Sequence, residues 1–223
     1  MKHVFGISVI VLPFLLLLIW VTRLDRRKSQ DRHDLLSKIA QYFGSKKELE
    51  AFELNIMVGE GNFQVGIGHG GESDPDKLYI SQQFQPMPDG IIFIFQRGIN
   101  RWFSRKLTTG DRRFDRVVSY QVNAFQKQPD RYQIAEQLCD DSQFRKAVLR
   151  VADAGYSHLW IPGAWSRGSR LDAITQKMMG VTGMLMAYVD NPKAKHYEPS
   201  RVEEIGLALA VIAESVEARR MLA

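Results

Sequence analysis

Two short stretches carry residue types that hydrolytic chemistry uses. In AWSRG, residues 164–168, Ser166 stands at the centre of a variant nucleophile elbow, with His158 shortly before it. An elbow exposes its serine on a strained strand-to-helix turn, and a base and an acid must reach it from other strands of a large α/β sheet. Alternating strand and helix units are lacking here, and nothing nominates Asp153 or Asp172 as the acid. Ser166 therefore reads as a turn residue, and a small membrane-associated hydrolase using Ser166 and His158 stands as an alternative. GIGHGG, residues 66–71, matches the dinucleotide pattern G-x-G-x-x-G. That motif needs a helix directly after the glycines to receive the pyrophosphate, whereas Glu72-Ser73-Asp74-Pro75-Asp76 is a turn. His3, His33, His69, His158 and His196 are scattered without ligand spacing, and SDPD at 73–76 lacks the rest of a calcium loop. No cofactor and no metal is expected.

The segment RGINRWFSRKLTTGDRRFDR, residues 97–116, holds seven basic against two acidic side chains, interleaved with Trp102, Phe103 and Phe114. Cations mixed with aromatics suit an anionic leaflet, or nucleic acid held by phosphate contacts and stacking. Arg97, Arg101, Trp102, Arg105, Lys106, Arg112 and Arg113 are the candidate contacts. The bland reading is a solvated loop whose aromatics cover the sheet. Met178 to Tyr188 is rich in methionine and reads as core ahead of an adaptable partner surface.

Placement comes from the opening segment. Val4 to Val21 is an uncharged run of 18 residues, roughly 27 Å of helix against a hydrocarbon core of about 30 Å. Pro13 is tolerable there as a kink, and Trp20 suits the headgroup level. No small-x-small cleavage pair follows, so an uncleaved anchor over residues 1–22 is expected. Lys2 precedes the run, and Arg23, Arg26, Arg27, Lys28 and Arg32 follow it. Basic flanks stay inside, which puts the N-terminus outside and the rest of the chain in the cytoplasm, at the inner or plasma membrane. One cysteine, Cys139, gives no disulfide framework; it reads as a small buried helical residue.

The rest of the chain predicts an α+β fold. Leu35, Ile39 and Phe43 mark a juxtamembrane helix in a stalk, residues 23–47. Ser45 with Glu48 has capping-box form for a short helix, KELEAF. An antiparallel meander is then expected from Phe63-Val65-Ile67, Leu78-Ile80 and Ile91–Phe95, with turns at 59–62 and 70–75. A strand at 117–122, helices near 132–139 and 142–154 closed by Gly155, and a short strand at 159–161 complete a cytoplasmic domain over 48–168. Residues 169–223 are expected to form a helical hairpin packed on it. Its first helix follows Leu171, Ile174, Met178, Val181, Leu185 and Tyr188. Its second is opened by Ser200 and Glu203 and follows Ile205, Leu209, Ile212 and Val216.

TTGDRRFDRVVSYQV, residues 108–122, followed by a helix pair and YSHLWIPG, resembles bacterial membrane-tethered proteins that carry a domain of unknown function. The resemblance rests on Gly110, Asp111, Phe114 and Asp115 and on element order from about 55 to 165. It implies a bacterial inner-membrane protein without assigned activity and transfers no catalytic residue. Physically, Gly110 and Asp111 suit a turn, Phe114 a plug under the sheet, and Asp115 a cap or an arginine partner. The expectation is a non-enzymatic, single-pass membrane protein whose cytoplasmic domain binds a protein partner or anionic lipid, ahead of nucleic acid.

Overall fold

The computed structural model describes residues 23, 30–45, 53–68, 77–85, 87, 90–95, 104–123, 132–163 and 183–220. Among them no helix is long and apolar enough to cross a membrane, and the apolar run 4–21 lies outside them.

Among the described residues helix α1, residues 30–42, is followed by strands β1 Glu53–Val58, β2 Gly61–Gly68, β3 Lys77–Gln83 and β4 Gly90–Ile94. Next come β5 Arg105–Lys106, helix α2 Arg112–Val117, β6 Ser119–Asn123, α3 Gln133–Asp140 and α4 Ser142–Asp153. Strands β7 His158–Ile161 and β8 Met184–Asp190, a 3₁₀ turn Ala194–Tyr197 and helix α5 Pro199–Arg220 close the described chain. The strands form one sheet in the order β1-β2-β3-β8-β7-β4-β6-β5, with every neighbouring pair antiparallel. The α+β class and the antiparallel sheet agree with the sequence pattern.

Alternation along the strands sends one set of apolar side chains to the helices. Ile56, Val65, Ile80, Ala187, Leu159, Phe93 and Tyr120 meet Leu138, Val148, Ile205 and Leu209 in a single core. Leu36 and Ile39 of α1 lie in that same core, wholly buried. The residues read as a stalk thus contribute a helix to the body. Tyr42 Oη donates to Glu203 at 2.9 Å, and Ser45 Oγ donates to the carbonyl of Asn55 at 2.8 Å, which ties the end of α1 to α5 and β1. Ser45 therefore serves α1 and β1; the expected helix after it lies outside the described residues up to Glu53, which begins β1.

Three sequence expectations are corrected. The meander runs only from β1 to β3, because β8 and β7 are inserted between β3 and β4. The helical hairpin expected over 169–223 is also overturned: Met184–Asp190 is a strand hydrogen-bonded to β3 on one side and β7 on the other. MLMAYVD sits between two neighbours and has apolar residues on both faces, so its pattern has no clean alternation to separate strand from helix. The part of that expected helix at 164–182 lies outside the described residues. Finally, α5 opens at Pro199, where a missing N–H costs nothing, with the Glu198 carbonyl accepting from Val202 N at 3.1 Å. Ser200 is inside the helix, so it is not the expected cap.

Candidate functional site

The described part of the basic segment, residues 104–116, includes β5 at one edge of the sheet, the end opposite β1. Thr109 to Asp115 builds it. Gly110 adopts a left-handed backbone, φ 81°, which a side chain would resist. Asp111 then caps α2, its carboxylate accepting from Arg113 N at 2.9 Å and Phe114 N at 3.0 Å. Phe114 is wholly buried under the sheet. Asp115 accepts from the backbone N–H and the hydroxyl of Thr109, at 3.0 and 2.8 Å, and so holds the turn shut. The Gly-Asp-x-x-Phe-Asp motif is therefore a structural clasp.

The candidate cations divide. Arg105 lays its guanidinium 3.8 Å above the Tyr132 ring, a cation–π contact. Tyr132 meets Tyr120 edge-on, and the Tyr120 hydroxyl donates to Glu136 at 3.4 Å. Burial and Glu136 push the Tyr120 phenol up to about 12, with Arg105 opposing. Arg113 grips both oxygens of Asp153 at 2.7 Å and so joins α2 to α4. Lys106 and Arg112 are exposed and make no ion pair among the described residues. Arg97, Arg101 and Trp102 lie outside them.

Ser166 lies outside the described residues too, while His158 opens β7. Its ring stacks on Tyr188 at 4.5 Å, and its Nδ1 lies 2.9 Å from Ser157 Oγ and 3.8 Å from Asp190 Oδ2. Serine, histidine and aspartate thus meet, but not as a triad, which needs nucleophile and acid on opposite ring nitrogens. Both approach Nδ1 here. Ser157 is also wholly buried and donates to the Tyr188 carbonyl at 3.1 Å. Burial first, then Lys77, lowers the His158 pKa against the pull of Asp190, so the imidazole is neutral at pH 7. The cluster ties β7 to β8. Sequence reasoning missed Ser157 and Asp190, because a residue expected beyond the end of a helix gives no sign of lying beside β7.

The glycine-rich stretch is also structural where it is described. Gly66 to Gly68 pair with Tyr79 to Lys77 inside β2 and β3. The Tyr79 ring covers Gly66, and its hydroxyl donates to Glu53, which also accepts from Gln64 Nε2 at 2.6 Å. His69 to Asp76 lie outside the described residues. Cys139 is fully buried in α3, where burial raises its thiol pKa well above the ordinary range. Among the described residues no group of histidine, cysteine or carboxylate side chains is set to hold a metal. No protein-family model, curated protein or solved structure matches the chain.

Proposed function

We propose that the protein is a single-pass membrane protein that works without catalysis, its body held at the cytoplasmic surface and binding a protein partner or the anionic leaflet through the β5 edge. The apolar run 4–21 with its basic inner flank supports the tether, and the resemblance of residues 108–122 to bacterial membrane-tethered proteins points the same way. The supporting observation from the body is its layout. The end of α1 is fixed beside β1, while Lys106 stands exposed on β5 at the other edge of an eight-stranded sheet and Arg112 is exposed at the start of α2, the next element in the chain. Seven strand spacings of about 4.8 Å separate the two edges by roughly 34 Å.

Residues 22–29, which join the apolar run to α1, reach roughly 28 Å even when fully extended. The body therefore stays within a molecular diameter of the bilayer, within reach for the basic edge to meet the leaflet. Each basic residue near an anionic leaflet adds about 1 kcal/mol. The test is a photo-crosslinking residue at Lys106 or Arg112 of the full chain in intact cells. A discrete protein adduct or a phospholipid adduct is expected from both positions. Membrane-located protein that yields neither, or yields nucleic acid, refutes the proposal.

A further inference from the structure

The sheet face turned away from the helices carries a cleft of about 360 Å³ over β1, β2, β3 and β8. Strand alternation and register bring Asn55, Asn62, Gln64, Ser81, Gln83 and Met184 to it from four strands. Three features stand out. Among the described residues no side chain with a formal charge lines the cleft, and Glu53, bonded to Gln64 of the lining, already accepts from Tyr79 as well. Four of the six are carboxamides, each with an acceptor oxygen and two donor hydrogens. Ser81, directly across from Gln64 in the register, is wholly buried, yet its Oγ has no hydrogen-bond partner among the described residues. A buried hydroxyl left unpaired is costly, so a ligand group that completes it is rewarded.

We propose that this cleft binds an uncharged saccharide unit. A phosphate or carboxylate ligand would be desolvated against neutral amides with no cation among the described lining residues, which is unfavourable. A sugar ring presents neighbouring hydroxyls, each both donor and acceptor, and these match side-chain amides that offer both roles. The volume is at the small end of ligand pockets, suited to one or two rings and not to a macromolecule. Met184 supplies an apolar patch for the C–H face of a ring. The unit is either a free sugar or the neutral headgroup of a glycolipid, and the binding chemistry is the same for both. This inference is independent of the β5 edge.

The test uses the full chain in nanodiscs of sugar-free zwitterionic lipid, kept away from glycosidic detergents, which would compete. One arm adds glucose, galactose, N-acetylglucosamine or maltose and reads saturation transfer to the sugar protons and the melting temperature. The other dopes the discs with monoglucosyl diacylglycerol and reads the melting temperature. Binding in the first arm identifies a free sugar, binding only in the second a lipid headgroup, and either supports the proposal. Asn55→Ala and Gln83→Ala, both at exposed side chains, should each weaken binding about fivefold with the free protein's melting temperature unchanged. Ser81→Ala should weaken binding by a similar factor and leave the free protein as stable as before or more so, because an unpaired hydroxyl is removed. No response in either arm from folded protein overturns the proposal. So do affinities untouched by all three substitutions, a response to inorganic phosphate in place of sugar, or a clear loss of stability in Ser81→Ala.

Discussion

Gly66→Ala puts a single methyl group where the structure has none to spare. A Cβ at that position would overlap the Tyr79 ring, with Cε1 at 2.8 Å and the hydroxyl end closer still. Backbone conformation is not the obstacle, since Gly66 lies in the middle of β2 without a positive φ, and alanine over glycine in a strand is worth about 0.5–1 kcal/mol by itself. The clash must outweigh that gain. Overpacking of this size costs about 1–3 kcal/mol. If Tyr79 escapes by turning aside, it loses its bond to the Glu53 carboxylate, a charge-assisted contact of about 1.5–3 kcal/mol. Burial first, then Glu53, raises the Tyr79 pKa far above the phenolic range, so the hydroxyl keeps the proton it donates. The net expectation is a loss of about 1–3 kcal/mol, a fall in melting temperature of roughly 3–10 °C for a chain of this length. Equilibrium urea unfolding of the full chain in nanodiscs, followed by near-ultraviolet circular dichroism, measures it. Tyr79→Leu removes the ring, so the cost of Gly66→Ala should shrink by about 1–2 kcal/mol in that background, a coupling that a double-mutant cycle isolates. A Gly66→Ala protein as stable as the parent, or an equal cost with Leu at position 79, refutes the reasoning.

Within the Gly-Asp-x-x-Phe-Asp clasp, urea unfolding should rank three substitutions. Phe114→Ala should cost about 3–5 kcal/mol for a fully buried ring, and Asp111→Ala about 1 kcal/mol for a lost cap. Arg113→Ala should cost under about 1 kcal/mol, because its ion pair with Asp153 is 59% and 49% exposed. His158 and His196 are both held neutral, chiefly by burial, with Lys195, Arg201 and Lys193 adding to the effect at His196. Because the unfolded chain then binds more protons, stability should be full above about pH 6.5 and decline as pH falls below it. Melting temperatures from pH 8 to 5 should show that limb, and His158→Gln should flatten it. Reversing Lys106 and Arg112 to glutamate together should weaken attachment of the β5 edge to anionic vesicles by more than about tenfold at low salt, and leave neutral vesicles unaffected.

Period and punctuation alone located much of the body. Phe63-Val65-Ile67 and Leu78-Ile80 alternate because only one face of their strands meets the helices, and that alternation is local. The pair α3 and α4 and the stop at Gly155, φ 89°, were legible for the same reason, as was Phe114 as a plug. The β1 strand was missed although Leu54, Ile56 and Val58 alternate, since the capping box before it drew the reading towards a helix. Helix α2 was missed because six residues are too few to show a period.

The candidate sites were far less legible. Apart from Gln64 and Ser81, adjoining Val65 and Ile80 in expected strands, the cleft polars give no sign in the sequence of facing one another; strand pairing across the sheet assembles them. His158 was visible as a histidine, but its neighbours Tyr188 and Asp190 come from a segment whose pattern read as helix. The sequence by itself determined the apolar opening run, its basic flank, the class of the fold and most of its elements, because these depend on residues a few positions apart. Tertiary structure alone decided that Met184–Asp190 is a strand, that it enters the sheet between β3 and β7, and which polar side chains therefore share a face. The physical reason is that a central strand takes its hydrogen-bond partners from distant parts of the chain, and no local pattern encodes which ones.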